Sequence, residues 1–253
     1  RLEIIQILDS ALPPIEKTSP NILFILIIMF NYVGPPCEIP ELESRTLEQG
    51  RFYKLDKVWV PSVTTVIGHQ SKAGILEWQK RVGFHEAEKI RMKSSWRGTK
   101  YHNHVEKYLR NEDVEKTQKS DGLTNYLFRS ARKDLDRITD IHLIEAPLYS
   151  SKLYLAGRVD CLAHFDNELA VIDFKTTKEL KKPEWLENYF VQCSAYAYMY
   201  YEHTGIEVDK LVTISVSESG EMQVEQRYDK EKYINKLLQY IEEYRMFIES
   251  REG

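Results

Sequence analysis

Two short runs hold residue types that bind a hard cation. One is Gly157-Arg158-Val159-Asp160; the other is Val171-Ile172-Asp173-Phe174-Lys175-Thr176-Thr177. The residues between them, CLAHFDNELA, read as the middle of a β-hairpin. Asp166-Asn167 suits a two-residue type I′ turn, because both residues tolerate positive φ. That turn sets a register in which Phe165 faces Glu168, Asp160 faces Asp173 and Arg158 faces Lys175. Directly opposed side chains share a face, with Cβ atoms about 5 Å apart, and Lys175 lies on that face two residues on from Asp173. Opposed like charges destabilise a sheet. A divalent cation between the carboxylates removes the conflict, and oxygen ligands of this kind suit Mg²⁺ or Mn²⁺. A lone D-x-K most often marks an acid at a strand end beside water; the second Asp is what gives this one weight.

The elements that must position these residues follow from periodicity. Ser62 is a suitable N-cap for a short helix over Val63–Ile67. Helices are expected over residues 74–93, 97–111 and 121–137, the last with Tyr126, Leu127, Ala131 and Leu135 at helical spacing. Three strands follow, His142–Ser150, Leu155–Phe165 and Glu168–Lys175. A helix then runs from Pro183 to about His203. Strands at Lys210–Ser217 and Met222–Tyr228 join through Ser219-Gly220. The final helix, 229–250, carries Ile234, Leu237, Leu238, Ile241, Tyr244 and Ile248 as one apolar stripe. The expected fold is α/β: a mixed central sheet of about five strands flanked by helices, with an N-terminal helical layer. Residues 61–253 form the single domain, and residues 1–60 an irregular arm with a hairpin at 51–60.

Two side chains stand out on the helices. Gln192 shares a face with Tyr189, Tyr196 and Tyr200, and a buried Gln needs a hydrogen-bond partner, in the core or at a site. His102 and His104 flank the apolar face of their helix on opposite edges, so periodicity does not choose between them.

Bulk properties bound the function. Hydrophobic residues at 42% and charged residues at 29% are those of a soluble globular protein. Cys37, Cys161 and Cys193 are scattered with no C-x-x-C pair, which fits a reducing compartment and provides no zinc or cluster framework. The net charge of −4 speaks weakly against a nucleic-acid partner, but Lys72–Lys100 holds eight Lys or Arg against three Glu. Such a run, by itself, is more often a solvated helix face. The apolar run Ile22–Phe30 is nine residues, too short to span a membrane, and lacks a signal-peptide cleavage site. Residues 1–28 are expected to lie upstream of a native start at Met29. No P-loop, G-x-G-x-x-G or nucleophilic Ser or Cys with a base is evident.

Taken in order, Gly98-Thr99-x-x-His102, Gly157-x-x-Asp160, Asp173-x-Lys175 and Gln192-x-x-x-Tyr196 resemble the RecB-like branch of the PD-(D/E)xK nucleases. The resemblance covers roughly residues 60 to 228. Pro61–Gly68 (PSVTTVIG) is similar to the group containing mitochondrial genome maintenance exonucleases and related phage exonucleases. Val159 stands where the family name has its Pro. The resemblance implies a restriction-endonuclease-like core. It also implies a metal held by His102, Asp160, Asp173 and the Phe174 carbonyl, with Lys175 activating water and offsetting phosphate charge. Gln192 and Tyr196 would hold the DNA backbone or buttress the site. Glu145, on the first strand, is a further candidate near the site.

The function this implies is a Mg²⁺- or Mn²⁺-dependent DNA exonuclease, acting on single strands or single-stranded ends in replication, repair or recombination. Lys80, Arg81, Arg97 and Lys100 are the expected substrate-binding cations, and Trp78, Phe84, Trp96 and Tyr101 interleave with them as base-stacking residues do. Each aromatic taken singly reads as well as helix core. The alternatives are a double-strand end-resection exonuclease, a structure-specific endonuclease and, from another class, a non-catalytic DNA-binding module. Lys175 beside Asp173 disfavours a paired-carboxylate glycosidase, and three cysteines are too few for the iron–sulfur relatives. The expected protein is a cytoplasmic monomer of phage or bacterial origin with no membrane association. A mitochondrial precursor is disfavoured by the lack of an Arg-rich, acid-poor leader.

Overall fold

The computed structural model describes residues 29–114 and 122–252; the expectation for residues 1–28 lies outside them. The hairpin expected at 51–60 forms as β2 (Gly50–Leu55) and β3 (Val58–Pro61), and β1 (Ser44–Leu47) adds a third antiparallel strand to an arm otherwise expected to be irregular. All four residues of β1 are exposed, so periodicity does not mark it. Tyr53 and Val60 pack on Ala156 of the main sheet, and a bridge between Ser62 and Ala156 joins the two sheets. The Ser62 hydroxyl accepts the Thr65 N–H at 3.0 Å and caps α1 (Val63–Gln70), as expected.

The helical layer divides differently from the periodicity. α2 (Lys72–Val82) ends at Gly83, whose φ of 94° breaks the helix. α3 then runs without interruption through Phe84–Leu109. The break expected at residues 94–96 is absent because Ser94, Ser95 and Trp96 all tolerate helix. α2 has no buried residue, and in the first half of α3 only Ala87 is buried. The second half of α3 and α4 (Gly122–Leu135) carry Tyr101, Val105, Leu109, Leu127 and Ala131 into one core.

The central sheet has the order β4-β5-β6-β7-β8. Its strands are β4 (Ile138–Ser150), β5 (Leu155–Phe165), β6 (Glu168–Thr177), β7 (Lys210–Ser217) and β8 (Met222–Arg227). Only β6 and β7 pair in parallel, so the sheet is mixed, as expected. β7 is buried at every position, which is why it reads as a near-continuous apolar run. Asp166 and Asn167 both have positive φ, 53° and 65°, and Phe165 pairs with Glu168.

Alternate strand residues feed two cores. Ala170, Ile172, Val212 and Ile214 face α3 and α4. Val171 and Leu211 face α1, α5 (Glu187–Thr204) and α6 (Lys230–Glu252). A 3-10 turn at Pro183–Leu186 leads into α5. Among the described residues no helix is long and apolar enough to cross a membrane.

Arg97 locks α3 to the end of the sheet. It was expected to reach substrate, but it is only 5% exposed. Its guanidinium donates to Thr176 Oγ1 at 3.2 Å and pairs with Glu218. Burial and prior partners give it a structural role instead. Arg97→Ala should cost about 1–3 kcal/mol by leaving Glu218 and Thr176 without their donor. Urea unfolding measures this, and unchanged stability would mean the pair is dispensable.

Candidate active site

The β5–β6 ladder runs from Phe165↔Glu168 to Cys161↔Ile172 and stops there. Asp160 and Asp173 are the next residues on each strand, so the register read from the turn holds up to the acids. At the acids the ladder has ended, and neither the expected pairing of Asp160 with Asp173 nor that of Arg158 with Lys175 forms. Arg158 instead donates to the Glu145 carbonyl and, at 2.8 Å, to Glu41. The Phe174 N–H finds its acceptor in Asp160 Oδ2 at 2.9 Å.

Helices from both layers reach this opening. From α3, His102 Nε2 lies 2.8 Å from the Phe174 carbonyl oxygen. His102 Nδ1 lies 3.5 Å from Glu145 Oε1 and 3.7 Å from Asp160 Oδ2. His104, which periodicity could not separate from His102, is fully buried and bonds the Lys100 carbonyl. From α5, Gln192 Nε2 donates to Asp173 Oδ1 at 2.9 Å, so Gln192 has its partner in the site and not in the core. Lys175 Nζ donates to the same oxygen at 2.5 Å.

Glu145 comes closer than its place on the first strand alone suggests. On β4 and β5, Ile144 pairs with Cys161 and Ala146 with Val159, which sets Glu145 opposite Asp160. Glu145 has a φ of 44°, a conformation that costs of order 1 kcal/mol or more and persists only where the surroundings impose it. Single donor atoms of His102, Glu145 and Asp160 all lie within 4.8 Å of one another. Asp173 stands outside that cluster. It is 3% exposed, and its Oδ2 has no hydrogen-bond partner among the described residues.

A cavity of about 260 Å³ opens over these groups. Lys175, Gln192 and Tyr196 line it, as do Arg51 and Tyr53 of β2 and Ser62 and Thr64 at the start of α1. Sequence reading missed Arg51 and Tyr53, because nothing in the arm marked β2 as a wall of the site. Thr65 is the tie: its hydroxyl accepts the Arg51 N–H at 2.9 Å and donates to the Arg51 carbonyl at 3.1 Å. Lys80, Arg81 and Lys100 do not line the cavity. Lys80 and Arg81 are exposed on α2, and Lys100 lies 5.5 Å over the Trp96 ring. Phe84 and Trp96 are exposed, Trp78 is half-buried, and Tyr101 is core.

The charges are tightly coupled. Burial disfavours the His102 imidazolium, but the Asp160 carboxylate and a hydrogen bond with Glu145 outweigh it and hold His102 at about 9. Burial pushes Asp173 up to about 6 against the pull of Lys175. Burial also opposes the charge on Lys175, yet Asp173 and Asp160 keep it above its ordinary range. The site is thus a buried nest of carboxylates held together by one imidazolium and one ammonium. Its donor set fits a hard divalent cation: carboxylate oxygens, one imidazole, a backbone carbonyl and an orphaned carboxylate oxygen.

Residues 75–251 match the family model described as the PD-(D/E)XK nuclease superfamily. The chain belongs to that superfamily. Nucleases of the PD-(D/E)XK superfamily are generally divalent-metal dependent, which agrees with the donor set. A curated relative, mitochondrial genome maintenance exonuclease 1 of Xenopus tropicalis, is 30% identical over 133 residues. That match takes in 48% of this chain and 37% of the relative, so the chain spans little more than a third of the relative's length.

Gly157 has a local reason to be a glycine. A Cβ on Gly157 would lie 2.6 Å from the Tyr196 hydroxyl and 2.8 Å from Cε1 of the same ring. Tyr196 is buried and cannot swing away. Gly157→Ala should therefore cost about 1–3 kcal/mol of stability, read by denaturant unfolding; a neutral result would show that α5 can retreat.

A second prediction concerns pH. His102 keeps its proton to about 9 in the folded chain against 6.5 ordinarily, so the folded state binds more protons in that window. Its contribution is complete below pH 6.5 and is lost as pH rises toward 9, on the order of 3 kcal/mol. Raised Asp173 acts in the same direction between its ordinary 3.8 and about 6. Thermal melts in EDTA should fall across both windows, and a flat profile would contradict the coupling of His102 to Asp160.

Proposed function

We propose that the protein is a divalent-cation-dependent exonuclease that hydrolyses DNA phosphodiesters, preferring single strands or single-stranded ends. The observation that carries this reading is the meeting of His102, Glu145 and Asp160 within 4.8 Å, beside the Asp173–Lys175 pair. A pure binding module has no use for carboxylates buried at such cost.

In this reading His102, Glu145 and Asp160 hold the cation, with Asp173 Oδ2 and the Phe174 carbonyl as further donors. When bound, the cation polarises the phosphoryl oxygen and lowers the pKa of water for attack. Lys175, held charged by its neighbours, orients that water and offsets the charge that develops on the phosphate. Gln192 keeps Asp173 turned toward Lys175. Tyr196 fixes β5 through its contact with Gly157. Arg51, exposed, lining the cavity and paired to no carboxylate among the described residues, is a cation suited to a flanking phosphate.

The preference for single strands is supported by α2 and the part of α3 up to Lys100. There Phe84 and Trp96 are exposed beside Lys80, Arg81 and Lys100, a combination that stacks bases while attracting phosphates. The name of the Xenopus relative, a genome maintenance exonuclease, supports exonuclease action; the setting we propose for this chain is replication, repair or recombination.

The deciding experiment is a gel assay on end-labelled single- and double-stranded DNA, with Mg²⁺, Mn²⁺ or EDTA. The expected outcome is metal-dependent shortening of single strands. It should be abolished by EDTA and reduced at least about 100-fold in Asp173→Ala and Lys175→Ala. Full Mg²⁺-dependent activity in Asp160→Ala would refute the site assignment. Resection of duplex ends or internal nicking would favour the other nuclease readings, and binding without cleavage the non-catalytic one.

A further inference from the structure

The small N-terminal sheet has two faces, and only one belongs to the catalytic cavity. Arg51 and Tyr53 of β2 line that cavity. Phe52, between them, points the other way. Register puts Arg45 opposite Phe52 and Pro61 opposite Phe52, with Trp59 opposite Lys54. These residues therefore share the second face. Under it, against α6, lies a separate cavity of about 380 Å³, within the usual range for a small-molecule site.

The chemistry of that cavity is specific. Its lining includes Phe52, Trp59 and Tyr244, the cations Arg45 and Arg245, and one acid, Glu249. The Arg45 guanidinium lies over the Trp59 ring at 4.0 Å. Neither arginine has a carboxylate partner among the described residues. Tyr244 is 5% exposed, and its hydroxyl has no hydrogen-bond partner among the described residues, which is unusual for a buried polar group. Flat apolar walls beside two guanidinium groups that no carboxylate neutralises match a ligand that is planar at one end and anionic at the other. Arg45 and Arg245 match phosphate, and the aromatic walls match a base.

We propose that this cavity is a nucleotide-binding site, taking the base and phosphate of a single nucleotide. It rests on the nuclease reading in one respect: it backs onto the catalytic cavity across β2, where cleaved nucleotides are released and a substrate strand passes. The nucleotide is either free product or one residue of a bound strand. Arg45 and Arg245 hold its phosphate, Trp59 and Phe52 its base, and Glu249 is the one carboxylate in the lining that can accept from a base N–H.

The test is calorimetric titration of the full chain in EDTA, where no cleavage occurs, with thymidine monophosphate, thymidine and inorganic phosphate. Thymidine monophosphate should bind, with thymidine and phosphate each at least about tenfold weaker. Arg45→Ala and Arg245→Ala, both at exposed positions, should each weaken it about tenfold. Lys133→Ala, at an exposed position on α4 that lines neither cavity, should leave it unchanged. Loss of binding in Arg51→Ala with none in Arg45→Ala would put the nucleotide in the catalytic cavity alone and overturn the proposal. So would the absence of binding at about 10 mM ligand. A short oligothymidylate separates the two sources. If Arg45→Ala weakens it too, the site takes a residue of a strand; if only the monophosphate responds, it takes product. The gel assay on the same preparations keeps the two readings apart. A chain that cuts DNA but fails these titrations loses only this site; one that binds through Arg45 but cuts nothing loses only the nuclease reading.

Discussion

Where β5 and β6 part, a carboxylate takes over from the backbone. The Phe174 N–H, which a continuing ladder would have paired, is accepted by Asp160 Oδ2. That substitution ends the sheet without leaving a buried donor unsatisfied. It also opens the gap through which His102 and Gln192 reach from opposite helical layers. Asp160 thus closes the ladder, faces Glu145 on β4 and anchors the imidazolium. Removing it would strand the N–H, the imidazolium and the strand end together.

The same carboxylates make the site unstable unless cations are present. Glu145 and Asp160 are opposed in a sheet, and Asp173 is buried beside them. In the metal-free protein His102 and Lys175 supply the positive charge. A divalent cation would relieve His102 of that task, which couples metal binding to the protonation of an imidazole. The backbone at Glu145, at positive φ and steadied by Arg158 on its carbonyl, holds that carboxylate in the cluster. Local strain of this kind is stable only because β4 and β5 pair on both sides of it.

The N-terminal sheet joins two cavities to one scaffold. Thr65 binds both backbone groups of Arg51, so α1 and β2 move as a unit. Gly50 allows this closeness: a Cβ there would fall 2.4 Å from Thr65 Oγ1. Through this tie one face of β2 lines the cavity over His102, Glu145 and Asp160, and the other lines the aromatic and basic cavity against α6.

Much of this was written in local sequence. The Asp-Asn turn determined the β5–β6 register, because a two-residue turn allows little slippage, and so brought Asp160 and Asp173 to adjoining places. The strands were legible by alternation or, for β7, by a near-continuous apolar run, and the closing helix by its apolar stripe. The Glu145–Asp160 opposition was harder to see. Its register also follows from a turn, Ser151–Tyr154, but that four-residue turn has no sequence signature that specifies its length. Periodicity left His102 and His104 equal and only the motif resemblance singled out His102, whereas the burial of Arg97 and the wall formed by Arg51 and Tyr53 were decided only by tertiary packing. Each depends on which neighbouring element covers a helix or strand face, and periodicity describes a face without saying what will lie against it.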